Sequence, residues 1–465
     1  MMPLPGRALR AWLPLAGLTL ASACASSPPP PLSVVLVTID TLRADHLPIY
    51  GYERSTAPRL SAFAASGVVF DNARTPIPET APACATLLTG RLPAHHGLRG
   101  NGRPLGPEPA TLATLLAAAG YSTAAFVSGV PLTARLSGLD RGFAHYDDDL
   151  PDARGHVPGV QRAAPKTTSA ALAWLERQGP GPFFLWVHYY DPHGDYAPGP
   201  PWESAFPAGG GPLVPLESIP EYQRLGGEHD ASVYVSRYDG EILRVDTELG
   251  RLFDRLGRDD LRQRTLVVIT ADHGESLTEH GELFDHGNEL YEPTLRIPLV
   301  MAGPGLPGGR RVAGLVQSHD LLPTLLDLVR APAPPGMTGI SLAPAMRDGS
   351  PLPAREILSE ARFQPYRALV PGADIGPKLA LRDARFTIIA RLASGRMEAY
   401  DRQTDPGETL ELLQRAEVAE RRDLEAALAA GLRARLEAAV AGRPGAPVLA
   451  PALRARLERL SGAPS

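Results

Sequence analysis

The chain has 465 residues, of which 44% are hydrophobic, and a formal net charge of −5. This length and composition suit one large α/β domain with a small second one, or roughly two to three average domains. The slight negative charge argues against a nucleic-acid-binding protein, which would carry a clustered basic surface.

Residues 1–24 are predicted to be an export signal. Two arginines precede the apolar stretch 11–23, which is shorter than a typical bilayer-spanning helix. The stretch ends in "ASAC", which resembles the box of a bacterial lipoprotein and would place lipid on Cys24; ordinary cleavage near Ala23 is the alternative. Residues 25–33 then read as a proline-rich tether. We therefore expect a protein of the periplasm or cell envelope, held at the membrane through lipidated Cys24.

Apolar, β-branched runs alternate with segments of helical spacing across residues 34–350. In chain order the pattern predicts a strand at 33–40, helices at 57–67 and 110–120, a strand at 121–128, a helix at 169–179, a strand at 183–191, a helix at 234–257, and strands at 265–272 and 296–303. This alternation indicates an α/β domain with a doubly wound, mostly parallel sheet.

Three acidic residues stand at the carboxyl ends of predicted strands: Asp40, Asp191 and Asp272. In open α/β sheets, ligands bind outside that edge. The sequence therefore predicts the functional site there.

A break rich in Pro and Gly at 331–354 separates this domain from the rest of the chain. Beyond it, 378–402 alternates polar and apolar residues, with a turn signal at 394–395, which indicates an antiparallel meander. We predict a small α+β subdomain over 355–412, containing this antiparallel sheet, and a helical tail over 413–465.

Four segments carry most of the chemically interesting residues. They are "TIDTLRADHLPIYGY" (38–52), "TAPACATLLTGRLPAHHG" (80–97), "HYYDPHGDY" (188–196) and "TADHGESLTEHGELFDHG" (270–287). In this order and spacing they resemble the sulfatase family of the alkaline phosphatase superfamily. The resemblance covers nearly the whole mature chain, and it implies a metal-dependent hydrolase of sulfate or phosphate esters.

A divalent cation is predicted at Asp40, Asp272 and His273, with Thr80 beside it as a further ligand. An anionic ester repels nucleophiles, and a cation removes that penalty. Carboxylate oxygens and an imidazole suit Zn²⁺, Mn²⁺, Ca²⁺ or Mg²⁺. We expect one ion, with a second possible.

Thr80 is predicted to be the nucleophile. The family motif begins with a Cys or Ser that sulfatases convert to formylglycine, and a threonine cannot be converted in this way. Thr80 resembles instead the threonine of relatives that attack phosphorus, which favours phosphate esters and a covalent intermediate. It also heads a predicted helix, whose dipole favours an anion. The alternative is a plain helix-capping threonine.

Two positions depart from the family pattern. Thr41 stands where sulfatases have a second Asp, and Cys84 stands where the motif has Arg or His. Cys84 is expected to be a small buried hydrophobe. Both departures favour a third interpretation, a catalytically inactive binding protein of the same fold. Retention of Asp40, Thr80, Asp272 and His273 together argues against it.

Several further residues are expected around the site. By resemblance to the transferases of the superfamily, His193 and His286 are predicted to be catalytic and to hold the transferred group or a second metal. His188 and Asn101 are predicted to bind substrate. Asn101 would bind an oxyanion of the substrate. Arg43 is either a brace for the Asp40 turn or an ordinary surface residue.

The expected partner is a small-molecule, glycan or lipid ester of sulfate or phosphate, and no nucleic acid. A phosphoethanolamine-type transferase is the alternative activity, but those enzymes carry several membrane spans that this sequence lacks. Residues 197–227, rich in Pro and Gly, are a candidate lid.

Overall fold

The computed structural model describes residues 1, 31–150, 161–362, 376–441 and 446–462. The predicted export signal and Cys24 lie outside these residues. Within them, no helix is both long and apolar enough to cross a membrane.

The larger sheet has eight strands in the order β4-β3-β5-β1-β6-β7-β2-β8. The strands are β1 Ser33–Ile39, β2 Val68–Arg74, β3 Ser122–Val127, β4 His145–Asp147, β5 Phe183–Tyr189, β6 Thr265–Ala271, β7 Leu299–Ala302 and β8 Arg310–Gln317. Only β7 runs antiparallel to its neighbours, and the other pairs in this sheet are parallel. The predicted doubly wound, mostly parallel sheet is confirmed.

Helices connect these strands, and the longest of them has 26 residues. They are α1 Pro58–Ala64, α2 Thr80–Thr89, α3 Pro93–His96, α4 Leu112–Ala118, α5 Ala134–Ser137, α6 Ala164–Leu175, α7 Ala231–Leu256, α8 Asp259–Arg262, α9 Glu292–Leu295, α10 Leu321–Val329 and α11 Ala343–Arg347. The helix predicted at 169–179 begins earlier, at Ala164, because the Asp191 carboxylate accepts a hydrogen bond from the Ala164 amide at 2.9 Å.

Two strands of the larger sheet, β2 and β8, escape the sequence pattern. β2 ends in the polar run "DNAR" and β8 begins with two arginines. Both lie toward the edge of the sheet, where part of a strand faces water and the apolar pattern is diluted. The strand predicted at 296–303 is shorter, Leu299–Ala302.

The central position of β1 determines where the site forms. Its residues Val34–Val37 are at most 1% exposed, and β1 pairs in parallel with β5 on one side and β6 on the other. Ile39 is level with Tyr189 and with Ala271. Asp40 and Asp272, each one residue further on, therefore leave the sheet side by side.

A second, antiparallel sheet has the order β12-β11-β10-β9. Its strands are β9 Ile357–Ala361, β10 Lys378–Arg382, β11 Phe386–Arg391 and β12 Met397–Asp401, and the helices α12 Val418–Val440 and α13 Pro451–Ser461 follow. The meander predicted over 378–402 is confirmed. Leu424, Leu428 and Leu457 share a hydrophobic core with Leu381 and Phe386, so these helices cover the small sheet.

Ionic contacts fasten the small sheet to the segment that follows the 270–287 loop. Arg391 Nη2 lies 3.0 Å from Glu289 Oε2, and Lys378 Nζ donates to Asn288 Oδ1 at 3.1 Å. Leu290 and Leu295 pack in one apolar cluster with Ile389. The small sheet therefore supports the chain next to His286.

Candidate active site

Two buried carboxylates form the base of the candidate site. Asp272 Oδ1 accepts hydrogen bonds from the amides of Thr41, at 3.3 Å, and His273, at 2.8 Å. Asp272 Oδ2 and both carboxylate oxygens of Asp40 have no hydrogen-bond partner among the described residues. Both side chains are fully buried. Buried charges are normally paired or bound to a metal, so these three oxygens require a partner.

His273 completes a cluster with the two carboxylates. One ligand atom from each of Asp40, Asp272 and His273 lies within 4.8 Å of the others. His273 Nε2 is 3.6 Å from Asp40 Oδ1 and 3.5 Å from Asp272 Oδ2, while its Nδ1 lies 2.9 Å from the Gly274 carbonyl. Since a carbonyl only accepts, Nδ1 carries the hydrogen and Nε2 presents a lone pair to the carboxylates. This donor set fits a divalent cation.

The electrostatics of the cluster also favour a bound cation. Burial raises the pKa of Asp40 to about 7, although His273 acts in the opposite direction and Glu275 raises it further. Burial and the Asp40 charge raise the pKa of Asp272 well above its usual range. Two carboxylates in this position resist ionising together unless a positive charge lies between them.

Thr80 is the first residue of α2, and its side chain faces this cluster. Its Oγ1 lies 3.5 Å from His273 Nε2. The turn after His273 is tight: a Cβ at Gly274 would lie 2.0 Å from the Pro293 carbonyl oxygen, so only glycine fits. The fold thus brings together the nucleophile and the metal ligands predicted from the sequence.

His188 lies beneath Asp40, in β5. Its Nδ1 is 2.8 Å from Thr38 Oγ1 and its Nε2 is 3.4 Å from Asp40 Oδ2. The ring is fully buried, and this burial lowers the pKa of His188 to about 4. His188 therefore approaches the Asp40 carboxylate without a hydrogen bond to it, and its role in substrate binding stays a prediction.

His193 and His286 extend the row of imidazole rings that begins at His273. The His273 and His286 ring centroids are 4.5 Å apart, and those of His286 and His193 are 5.1 Å apart. His193 stacks on Tyr190 at 4.3 Å, and Tyr222 lies on it at 5.7 Å. Tyr222 comes from the candidate lid, so that segment reaches the predicted catalytic residue His193.

Asn101 lies at the N-terminus of α2. Its Oδ1 accepts a hydrogen bond from the Ala81 amide at 2.9 Å, and its own amide donates to Glu79 Oε1 at 2.7 Å. The Ala81 bond orients the carboxamide, so that the Nδ2 donors point away from the helix amide. Asn101 is therefore bonded to Ala81, the residue that follows Thr80, and its Nδ2 hydrogens are available to bind an anion.

Glu275 is a residue that the sequence analysis missed. Its Oε1 lies 2.9 Å from His286 Nδ1, its Oε2 accepts a hydrogen bond from Tyr196 at 3.2 Å, and it is fully buried. The available signal was an acidic residue two positions after His273 in a segment already assigned to the site. Acidic residues are frequent in that segment, and only the fold distinguishes Glu275 from its neighbours.

The two departures from the family pattern have different structural settings. Cys84 is fully buried in the core of α2, which matches the expectation of a small hydrophobe. Burial, with Asp272 and Asp40 nearby, raises the pKa of its thiol well above the usual range.

Thr41 has a positive φ of 54°, which is rare for a β-branched residue, and its carbonyl accepts a hydrogen bond from Tyr238.

Arg43 is a buried brace rather than a surface residue. Its Nη1 donates to the Glu275 carbonyl at 3.1 Å and to Glu279 Oε1 at 2.8 Å, while its Nε and Nη2 bind the Asp45 carboxylate. Arg43 thereby ties the chain after β1 to the chain after β6.

Residues 33–331 match the family model described as Sulfatase, and residues 278–435 match the model of the N-sulphoglucosamine sulphohydrolase C-terminal region. The Delta 4,5-hexuronate-2-O-sulfatase of Bacteroides thetaiotaomicron is 24% identical over 432 residues, covering 84% of this chain and 86% of that protein. The multifunctional alkaline phosphatase superfamily protein PehA of Trinickia caryophylli is 26% identical over 401 residues, covering 69% and 78%.

Solved structures give the same fold. The phosphonate monoester hydrolase of Agrobacterium radiobacter superposes with a TM-score of 0.69 at 23% identity, covering 87% of this chain and 96% of that one. A protein solved with its substrate D-glucosamine-2-N,6-O-disulfate gives a TM-score of 0.70 at 20% identity, covering 87% and 97%. At these identities the likeness concerns the fold.

Proposed function

The chain belongs to the sulfatase family and is a sulfuric or phosphoric ester hydrolase; from this premise we propose that it is a metal-dependent phosphoesterase with Thr80 as its nucleophile. The observation that carries the proposal is the placement of Thr80 Oγ1 3.5 Å from His273 Nε2, within the cluster of Asp40, Asp272 and His273.

The fit of the cluster to a divalent cation supports the metal. Three buried carboxylate oxygens without partners, together with an imidazole whose Nε2 carries a lone pair, supply oxygen and nitrogen ligands. A cation bound there would polarise the ester and lower the pKa of the Thr80 hydroxyl. Asp40, Asp272 and His273 would hold it.

The threonine supports phosphorus as the centre attacked. A threonine cannot become formylglycine, so it must form an ordinary covalent ester and release it by hydrolysis. Thr80 would attack in line, with its hydroxyl held at the N-terminus of α2. The α2 dipole and the Asn101 carboxamide would stabilise charge on the transferred group. His193 and His286 would hold its remaining oxygens or the leaving group.

A sulfate ester is the second candidate substrate. It is favoured by relatives named as sulfatases, among them the N-acetylglucosamine-6-O-sulfatase of Bacteroides thetaiotaomicron. A glycan, lipid or small-molecule ester fits either chemistry. We further propose export and anchoring through Cys24 as the setting in which such a substrate would be met, on the strength of the N-terminal sequence alone.

Parallel assays test the proposal on the purified protein. The protein is assayed with nitrophenyl sulfate, 4-nitrophenyl phosphate and bis(4-nitrophenyl) phosphate. Each substrate is tested with Zn²⁺, Mn²⁺, Ca²⁺ or Mg²⁺, and again after the protein has been treated with a chelator. We expect phosphoester turnover to exceed sulfate turnover, to require a metal, and to vanish in Thr80→Ala while surviving in part in Thr80→Ser.

Thr75→Ala serves as the matched control, since Thr75 is also a buried threonine but bonds to the Ile77 carbonyl. A preference for sulfate would overturn the phosphate assignment. Turnover that persists in Thr80→Ala would overturn the nucleophile, and turnover unaffected by chelation would overturn the metal. Binding of the esters without turnover would support the inactive binding protein.

A further inference from the structure

Three arginines lie buried where the larger sheet meets the small sheet. Arg74 is the last residue of β2, Arg382 is the last residue of β10, and Arg402 follows the end of β12. Their side chains are 2%, 1% and 9% exposed. Arginine is almost never buried to this extent unless its charge is paired, so each of these guanidinium groups requires partners.

Glu292, the first residue of α9, is the side chain on which the three arginines converge. Its Oε1 accepts hydrogen bonds from Arg74 Nε at 2.9 Å and from Arg382 Nε at 3.2 Å. Arg402 Nη1 lies 4.0 Å from the same oxygen, and Arg74 Nη2 donates to Glu292 Oε2 at 2.6 Å. One carboxylate therefore has three guanidinium groups around it.

Glu408 is the second carboxylate in this region, and it is fully buried. Its Oε1 lies 3.4 Å from Arg382 Nη2, and its Oε2 accepts a hydrogen bond from the Glu292 backbone amide at 2.8 Å. Its one ionic contact within 4.0 Å among the described residues is therefore the Arg382 guanidinium.

Other carboxylates of the small sheet do not supply a further negative charge. Asp383 is bound by Arg454, and Asp401 lies 2.8 Å from Arg385 Nη2. Three buried guanidinium groups thus share two glutamates, which leaves one positive charge in excess.

The electrostatics of Arg402 reflect this excess of positive charge. Burial and the charge of Arg74 lower the pKa of Arg402 to about 10, and Arg382 acts in the same direction. Glu292 and Glu408 raise this pKa, but they do not compensate for burial and the two like charges. A bound anion would remove the imbalance.

Each of the three guanidinium groups also has a buried nitrogen without a hydrogen-bond partner among the described residues. These nitrogens are Arg74 Nη1, Arg382 Nη1 and Arg402 Nε. Buried N–H groups are normally paired with protein, ordered water or an ion. Water molecules would pair with these donors but would leave the excess charge, whereas a monovalent anion satisfies both requirements.

We propose that a single chloride ion binds among Arg74, Arg382 and Arg402, at a site separate from the candidate active site. Chloride only accepts hydrogen bonds, which matches the three unpartnered donors, and its single charge equals the excess. A divalent sulfate or phosphate would reverse the imbalance instead of removing it.

The chloride would stabilise the junction that supports the turn after His273. Glu292 begins α9, and in the same helix the Thr294 carbonyl accepts a hydrogen bond from the Gly274 amide at 2.9 Å. Anion binding therefore strengthens the contact between the small sheet and the segment beneath the metal ligands.

Anomalous diffraction from crystals of the whole chain grown in sodium bromide tests the position of the ion. Bromide has the charge of chloride and a measurable anomalous signal. We expect a peak within hydrogen-bond distance of Arg74 Nη1, Arg382 Nη1 and Arg402 Nε. A map without a peak at this position would overturn the proposal, whatever the behaviour of the variants.

Thermal unfolding in sodium chloride and in sodium gluconate tests the same site in solution. Equal ionic strength keeps the screening of surface charges constant, and the divalent cation is the same in both series. We expect chloride to raise the unfolding midpoint of the wild type saturably, by about 2–4 °C. Arg402→Met removes the excess charge and should unfold at the same temperature in both salts.

Arg385→Met is the matched control, since Arg385 lies on the same hairpin but is paired with Asp401 at 2.8 Å. It should lower the midpoint and keep the response to chloride. An equal chloride response in Arg402→Met and wild type would overturn the site. A response of the wild type to sulfate but not to chloride would overturn the monovalent assignment. If Arg402→Met does not fold, the bromide map of the wild type decides.

Discussion

Three carboxylate oxygens, both of Asp40 and Oδ2 of Asp272, are buried without a hydrogen-bond partner among the described residues. In the absence of a cation these two side chains repel each other and are poorly solvated. Asp272→Asn should therefore raise the stability of metal-free protein by about 1–3 kcal/mol. It should also abolish the stabilisation by added Mn²⁺, which at 100 times the dissociation constant amounts to about 2.7 kcal/mol in the wild type.

Thermal unfolding with chelator and with Mn²⁺ measures both effects. Asp71→Asn is a control, since Asp71 is a partly exposed partner of Arg311 on β2, two strands away from β6. An equal metal-dependent shift in Asp272→Asn and wild type would show that the cation binds elsewhere.

Cys84 belongs to the core beneath the site, not to the chemistry. Its full burial and the neighbouring carboxylates keep the thiol protonated. Cys84→Ala should cost about 1 kcal/mol and keep turnover within a few-fold of the wild type. Iodoacetamide should modify the Cys84 peptide only after denaturation; equal modification of the folded protein would contradict this assignment.

At the residue scale, the sequence predicts those side chains whose position follows from strand ends. Asp40, Asp272 and His273 follow directly after apolar strands, and Thr80 begins a helix, so their convergence can be anticipated. The roles of Glu275 and Arg43 depend on which of several polar groups in a loop turns inward, and that is determined by tertiary contacts such as those of Tyr196.

The loops after β1 and β6 act together because Arg43 connects them. Burial alone would raise the pKa of Glu279, but the Arg43 charge outweighs it and lowers that pKa to about 2. A lowered carboxyl pKa stabilises the fold above the unfolded value of about 4.3, and this contribution disappears as the pH falls toward 2. The stability difference between wild type and Arg43→Met should therefore be largest near pH 7 and shrink below pH 4.

Urea unfolding at several pH values measures this difference. Arg59→Met, which removes an exposed pair with Asp254, should change stability by less than about 0.5 kcal/mol at any of them. A stability difference between wild type and Arg43→Met that stays constant down to pH 3 would mean that Arg43 acts by packing alone. Turnover of Arg43→Met should also fall, since Arg43 holds the Glu275 backbone.

At the scale of elements, hydrophobic periodicity finds the strands at the centre of the sheet and the long amphipathic helix α7. It does not find β2 and β8, because a strand partly exposed near a sheet edge carries charged residues and loses the continuous apolar pattern. The antiparallel direction of β7 is likewise a property of pairing, which composition does not encode.

The small sheet and its helices are part of the working molecule because they hold the segment next to His286. Arg391 is about one-tenth exposed and binds both Glu289 and Glu398. Arg391→Leu would remove the closest cation from both carboxylates and leave them the longer contacts with Lys378 and Arg396. This loss should cost about 1.5–3 kcal/mol and lower turnover. Arg396→Leu is the control, because Arg396 is half exposed and lies 3.6 Å from Glu398.

Denaturant unfolding and turnover of the two variants measure this support. Equal small effects in both variants would show that the small sheet is energetically separate from the site. At this scale the division of the small sheet from the main domain by composition stays a prediction. The ionic contacts between the small sheet and the main domain join residues about a hundred positions apart and leave no local signal in the sequence.

The proposed chemistry depends on one cation held where Asp40, Asp272, His273 and Thr80 meet. The most direct measurement is a crystal structure of the Mn²⁺-loaded protein with anomalous diffraction data. We expect an anomalous peak within bonding distance of both carboxylates and of His273 Nε2, with Thr80 Oγ1 beside it. A map with no peak at that position, in crystals whose protein binds Mn²⁺ in solution, would contradict it.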